Sequence, residues 1–500
     1  MHGLTEHFDV VVVGAGISGI GAGCHLKARC PDRSFVILEN RANIGGTWDL
    51  FRYPGIRSDS DMYTLGYNFK PWTQAKAIAD GDSILAYLHE TATEHDIHPH
   101  IRFGHHVKRA TLDSTTARWT IEAVRAGETV RFTCNFLFMC SGYYNYAEGY
   151  TPDFPGTDRF TGTIIHPQHW PRDLDYAGKR IVVIGSGATA VTLVPELAKT
   201  AGHVTMLQRS PTYVISRPSE DAFANWLRRW LPPMLAYGIV RWRNVMLQLW
   251  VFNLSRSRPA FVKRKLLELV REHLGPSYDI KTHFTPRYNP WEQRLCLVPD
   301  ADLFEAIKSG RASVVTDHIE TLTEGGILLR SGKTLDADII VTATGLNLQF
   351  LSDLEVTVDG RRIEFPNTFG YKGMMYSHVP NLASSFGYTN ASWTLKADLT
   401  CEYVCRLLNH MRDTGCEVAT PTLTEEVTPV QWIDFSSGYF HRSLHKFPKQ
   451  GHKLPWKLYQ NYAKDVLLFR YGAIDDGTMV FSKAGARATA DSPEVVRQAS

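Results

Sequence analysis

Two glycine-rich turns constrain this chain more than any other feature. Gly14, Gly16 and Gly19 follow the apolar run Val10 to Val13, and Gly185-Ser186-Gly187-Ala188-Thr189-Ala190 follows the apolar run Ile181 to Ile184. A G-x-G-x-x-G/A turn between a buried strand and a helix lets backbone approach a pyrophosphate, while the helix N-terminus supplies N–H groups and a positive dipole. Glycines alone also serve ordinary turns. The first set gains weight from Glu39, at the end of the next apolar run, where a carboxylate can accept from ribose hydroxyls. Gly14, Gly16, Ser18, Gly19 and Glu39 are therefore candidate cofactor-binding residues. Two such units in one chain allow electrons to pass between two nucleotides, so a redox enzyme of α/β class with two Rossmann-like domains is expected.

The second unit carries its own specificity signal. Its next strand, Val204 to Leu207, ends in Gln208-Arg209-Ser210 where the first unit has Leu38-Glu39. The acid that would repel a 2′-phosphate is missing, and a guanidinium that can hold one by paired charge-assisted hydrogen bonds is present. NADPH is expected over NADH, with Gly185, Ser186, Gly187, Thr189 and Ala190 at the pyrophosphate turn.

Two further apolar runs end in small-residue turns, Phe136 to Gly142 and Asp338 to Gly345, where a chain can cross between domains. Between the second unit and the later crossing, residues 219–274 show helical spacing of Trp226, Trp230, Leu231, Trp242, Val245, Leu249 and Trp250, with Arg228, Arg229, Arg241 and Arg243 interleaved. This reads as a helical insertion. Its Trp/Arg mixture suits buried packing or a subunit contact, and also peripheral contact with a membrane surface; no uninterrupted apolar span of transmembrane length exists.

The 54 basic and 51 acidic residues nearly balance, which gives no electrostatic case for nucleic acid. The eight cysteines lack CxxC or metal spacing, so reduced thiols, no metal and a cytoplasmic location are expected. The first apolar run is cut short by the glycine turn, unlike a signal peptide. From about residue 485 the chain is small and polar and reads as a frayed tail.

Between the two glycine turns lies Phe160-x-Gly162-x3-His166-x3-Trp170-Pro171. With Gly45-Gly46-Thr47-Trp48 and Tyr53-Pro54-Gly55-x3-Asp59, it resembles the type I Baeyer-Villiger monooxygenases. The runs Thr47 to Asp59, His166 to Trp170 and Asn390 to Asp398 are most similar to the group that activates the thioamide ethionamide. The resemblance implies FAD at the first unit and NADPH at the second. It also implies O2 activation through a C4a-peroxyflavin, conversion of ketones to esters or lactones, and oxidation of sulfides or thioamides.

The same resemblance implies that His166 and Trp170 couple domain movement. Gly46, Thr47, Trp48 and Asp59 would lie at the flavin, and Arg294, in Asn289 to Leu295, would be the catalytic arginine oriented by Asp59. Many members carry lysine just before that arginine, whereas Gln293 stands here, leaving more of the phosphate binding to Arg209. Asn390, Ser392 and Thr394 are placed to cap a helix facing the flavin. The implied division is 1–145 and 341–484 for the FAD-binding domain, 146–215 and 294–340 for the NADP-binding domain, 216–293 for the insertion and 485–500 for the tail. An N- or S-hydroxylating flavin monooxygenase is the nearest alternative, and the sequence leaves the oligomeric state and the substrate open.

Overall fold

The computed structural model describes residues 5–433 and 438–485; the expected tail beyond 485 lies outside the described residues. Strand β1 (Glu6–Val13) leads into helix α1 (Ile17–Arg29) and strand β2 (Phe35–Leu38). Val10 to Val13 pair in parallel with Phe35 to Leu38 on one side and with Phe136 to Met139 on the other. These segments are buried on both faces, which is why they read as continuous apolar runs. The sheet extends beyond β2 through β3 (Ile101–Arg102). On its other side β4 (His106–Asp113), β5 (Arg118–Arg125) and β6 (Glu128–Met139) form an antiparallel meander next to β1. In β5 buried and less buried residues alternate, as a half-covered strand requires. Strands Glu355–Val358 and Leu382–Ser384, from much later in the chain, join β4 and β6.

From β6 the chain leaves the first sheet as β7 (Tyr144–Gly149) and builds a second, all-parallel sheet. That sheet contains β8 (Thr163–Ile165), β9 (Arg180–Ile184) and β10 (His203–Gln208), with helix Ala188–Leu197 after β9. An insertion follows, bracketed by the parallel pair β11 (Val214–Arg217) and β12 (Cys296–Pro299). Then β13 (Ala312–Thr316) and β14 (Ile339–Thr342) complete the order β13-β10-β9-β14-β8. The return strand β15 (Leu346–Leu348) pairs antiparallel with β7, so the two crossings between sheets run side by side.

The fingerprint residues hold these crossings. Phe160 is buried under the second sheet, Gly162 immediately precedes β8, and Trp170 meets Tyr176 edge-on, while Pro171 is exposed. His166 Nε2 donates to the Gly345 carbonyl at 3.1 Å, its Nδ1 accepts from the Gln168 N–H at 3.2 Å, and its ring lies where a β-carbon on Gly149 would be. One imidazole therefore touches both crossing strands' ends and needs the neutral Nε2–H tautomer to do so. Burial lowers its pKa, against the pull of the Gly345 bond.

The insertion is helical, with α4 (Ala222–Leu227), α5 (Pro233–Ser257) and α6 (Pro259–Leu274); Pro233 opens α5 at the first helical position, where its missing N–H costs nothing. Val245 is buried as expected and Leu249 half-buried, but Trp226 (54%), Trp230 (74%), Trp242 (42%) and Trp250 (61%) are exposed, which corrects the expectation of buried packing. Only the other edge of α5, with Ala236, Tyr237 and Val240, meets the core. Arg241, one of the four arginines interleaved in the helical pattern, is buried. It donates to the carbonyls of Tyr63 (2.8 Å) and Gly66 (2.7 Å) and lies 3.4 Å from Asp398. Among the described residues no helix is long and apolar enough to cross a membrane.

Removing Arg241 leaves two buried carbonyls without this donor and takes the cation from beside buried Asp398, which keeps the Asn68 N–H and His25. Arg241→Ala is expected to lower stability to urea by about 3–5 kcal/mol, whereas Arg229→Ala, at an exposed position, should change it by less than about 0.5 kcal/mol. The linkage at His166 has a definite sign. A histidine whose folded pKa is depressed leaves stability intact above its unfolded value and costs stability as pH falls below it, because the unfolded chain then binds more protons. Between pH 7.5 and below about 6.5 the wild-type Tm should therefore fall more than that of His166→Gln, a difference that scanning calorimetry at several pH values would measure.

Candidate active site

The first glycine turn is built against the first crossing. Gly14 has φ +102°, and a β-carbon there would stand 2.7 Å from the Cys140 carbonyl oxygen. Helix α1 begins at Gly16 without a side-chain cap, so no N-cap side chain satisfies its first N–H groups. Glu39 is buried and accepts from the N–H of Ala15 at 2.7 Å and of Arg41 at 2.8 Å. A carboxylate has about four acceptor positions, so two remain for ribose hydroxyls. The buried hydroxyl of Ser18 accepts from Trp393 Nε1 at 2.8 Å and from Ser385 Oγ at 3.2 Å.

The second turn repeats the design with helix α3 (Ala188–Leu197). Gly185 has φ +137°, and a β-carbon on it would overlap the Ala343 carbonyl at the start of the second crossing. Gly187, the uncapped N-cap of α3, faces open space, Ala190 is fully buried, and Ser186 Oγ donates to the Ser210 carbonyl at 3.1 Å. At the end of β10, Gln208 turns inward and donates to the His283 carbonyl and Thr316 Oγ1. Arg209 is exposed and has no ion-pair partner among the described residues. An open helix N-terminus, a backbone cradle and a free guanidinium fit a phosphorylated dinucleotide.

Between the turns, the segment after Gly46 reaches from one unit to the other. Gly46 is the N-cap of the short helix Thr47–Leu50; Thr47 Oγ1 lies 3.3 Å from the Tyr146 hydroxyl and Trp48 packs half-buried on the core. Asp49, which the motif reading passed over, is buried between Arg41 and Arg52, each at 2.7 Å. Further on, burial pushes the Tyr53 pKa up to about 12, against the pull of Thr189 at the second turn. Arg57 pairs with Asp302 at 2.6 Å. Asp59 pairs with Arg294 at 2.9 Å.

Arg294 is also one wall of a cavity of about 250 Å³ whose other walls include Tyr143, Phe386, Tyr388, Trp393 and Phe440. Trp393 stacks on Tyr143 with ring centroids 5.2 Å apart, and burial raises the Tyr143 pKa while the Arg294 charge opposes it. No local pattern marks these aromatics, which come from separate segments.

Helix α7 (Trp393–Thr414) starts at this cavity, and the capping expectation needs correction there. Ser392 is the N-cap, but its hydroxyl meets Thr64 Oγ1 at 2.6 Å instead of capping, and Thr394 lies inside the helix. Asn390 Nδ2 donates to the Gln460 carbonyl. Asn390 Oδ1 and Thr394 Oγ1 are buried without a hydrogen-bond partner among the described residues. Such groups cost free energy unless a ligand or water meets them, so they fit a polar ring edge at the uncapped N-terminus.

The chain matches the flavin-binding monooxygenase-like family over residues 76–375, and a NAD(P)-binding Rossmann-like domain over residues 12–75. It is 55% identical over 482 residues to the FAD-containing monooxygenase EthA of Mycobacterium tuberculosis, covering 96% of this chain and 99% of that one. It is 49% identical over 484 residues to the probable FAD-binding monooxygenase AlmA of Acinetobacter baylyi, covering 96% and 97%. An oxidized steroid monooxygenase bound to NADP shares the fold at TM-score 0.75 and 22% identity, over 95% of this chain and 100% of that one. With two built dinucleotide turns and an arginine-carboxylate pair between them, the chain belongs to the flavin-binding monooxygenase-like family.

Proposed function

We propose that this chain is an FAD- and NADPH-dependent monooxygenase that converts ketones to esters or lactones and oxidises sulfides or thioamides. The observation that carries this reading is the Asp59–Arg294 pair on the wall of an aromatic cavity between the two nucleotide turns. FAD is assigned to the first turn and NADPH to the second. Residues 1–145 and 341–484 then form the FAD-binding part, 146–215 and 294–340 the NADP-binding part, and 216–293 the insertion. The relatives' descriptions as FAD-containing or FAD-binding and the NADP of the steroid monooxygenase support both cofactors.

For a ketone the balance is ketone + O2 + NADPH + H⁺ giving ester + NADP⁺ + H2O. When bound, reduced FAD supplies the reaction with O2; the chain supplies binding, orientation and charge. Arg294 presents a fixed cation where negative charge develops on the carbonyl oxygen, the kind of preorganised stabilisation that contributes most in such reactions. Asp59 holds the guanidinium in that position. Tyr143, Trp393 and Phe386 exclude water and offer apolar surface to the substrate. Arg209 holds the 2′-phosphate that distinguishes NADPH from NADH.

Arg209→Ala should lower kcat/KM for NADPH relative to NADH by about 10- to 150-fold, the effect of losing one charged hydrogen-bonding partner; an unchanged ratio would remove Arg209 from the phosphate site. Arg294→Ala should stay yellow and keep NADPH affinity, because both turns are intact. Its ester formation should fall by at least about a hundredfold, with the remaining NADPH consumption appearing as hydrogen peroxide. Chromatography of products from linear, cyclic and aromatic ketones and from sulfides tests the reading as a whole: wild-type protein that oxidises sulfides but yields no ester from any ketone would leave only sulfur oxidation.

A further inference from the structure

Helix α5 presents a long apolar line that is largely exposed, touched by Tyr462 only at Trp242 among the ring contacts of the described residues. Leu235, Ile239, Trp242, Met246 and Trp250 recur at three- and four-residue steps, so they follow one edge of the helix for about 22 Å. Their exposures run from 41% at Ile239 to 61% at Trp250. At the end of α4, Trp226 and Trp230 extend the same kind of surface. The opposite edge of α5 is anchored in the core by Tyr237, Val240 and Arg241, so the exposed line is held rigidly outward.

The charge around this line is one-sided. Between Asp221 and Glu268 the chain has seven arginines, two lysines and no acidic residue, although the whole chain is nearly balanced at 54 basic to 51 acidic. Arg229 beside Trp230, and Arg258 past the end of α5, are exposed. A second copy meeting this face across a two-fold axis would set the same basic residues against one another. A layer of lipid phosphates has the complementary charge, and tryptophan with arginine is the composition that settles at headgroup level.

We propose that the α4–α5 face seats on the surface of an anionic phospholipid bilayer, with Trp230, Trp242 and Trp250 in the interfacial layer and the exposed arginines on lipid phosphates. The protein lies on the membrane: none of its described helices is long and apolar enough to cross it. The inward side of α5, at Val245, Leu249 and Phe252, shares a cavity of about 260 Å³ with Ala391 and Leu395 at the start of α7. An apolar substrate dissolved in the bilayer is then about one helix diameter, ~10 Å, from the α7 N-terminus. That last relation rests on the proposed oxygenation, whereas the surface itself does not.

The test uses the full-length, FAD-loaded protein and needs no substrate, so its failure is separate from failure of the proposed reaction. Cosedimentation is measured with phosphatidylcholine vesicles, with and without phosphatidylglycerol, at about 0.1 M salt. Binding to the phosphatidylglycerol vesicles, with tryptophan emission quenched by brominated acyl chains, is expected. Trp230→Ser/Trp250→Ser should abolish most of the quenching and weaken partitioning by at least about tenfold. Arg229→Gln/Arg258→Gln should weaken binding to phosphatidylglycerol vesicles by about thirtyfold while leaving phosphatidylcholine binding unchanged. Both variants alter exposed positions outside the cofactor turns and should retain wild-type NADPH oxidation. Wild-type protein that fails to sediment with phosphatidylglycerol vesicles overturns the proposal. So does a dimer, detected by light scattering, that Trp230→Ser/Trp250→Ser dissociates, since the face would then belong to a second copy.

Discussion

The carbonyl oxygens of Cys140 and Ala343 occupy the space that a side chain would need at Gly14 and Gly185. Each nucleotide turn is thereby seated on the backbone where the chain begins a crossing to the other sheet. The two crossings then pair as β7 and β15. His166 packs on Gly149 at the end of one of these paired strands and bonds Gly345 just before the other.

The contact between the units on the cofactor side depends on one short segment. Arg57 and Asp59 pair with Asp302 and Arg294, on the helix after β12 and just before β12, and Tyr53 lies near Thr189 of the second turn. A loop that follows the first nucleotide turn so closely in sequence thus reads out the position of the second. Its three partners are spread over more than a hundred residues of chain, which ties the insertion's return point to the same place.

What was legible in the sequence was local. Buried parallel strands are continuous apolar runs, and a turn that brings backbone near phosphate needs glycine, so β1, β9 and both turns could be read directly. The pairing of Asp59 with Arg294 came from resemblance, because no spacing rule joins residues 235 apart in sequence. The aromatic cavity was not legible, since Tyr143, Phe386, Trp393 and Phe440 meet only once the crossings and α7 are in place. Ser18 was legible as part of the turn, but not the long-range bond that its hydroxyl accepts from Trp393, 375 residues away. The tryptophans of the insertion misled in another way, because helical spacing identifies a face and not which side of the helix the core takes.

Two ion pairs show how burial divides structural from chemical use of the same side-chain types. Arg241 and Asp398 are 6% and 1% exposed, and each has further hydrogen bonds, Arg241 to two backbone carbonyls and Asp398 to the Asn68 N–H. Desolvating such a pair roughly cancels its attraction, so its value lies in specificity: no other placement of α5 satisfies both charges. Arg294 and Asp59 are 38% and 37% exposed, where an ion pair contributes little to stability. The weaker pair is the one whose arginine lines the aromatic cavity. In the proposed reaction an apolar ligand and the second nucleotide would displace water there, and the same charge would act in a lower dielectric. On that reading the Asp59–Arg294 pair would gain strength when the site is filled, while Arg241 holds α5 to the Tyr63 and Gly66 carbonyls in either state.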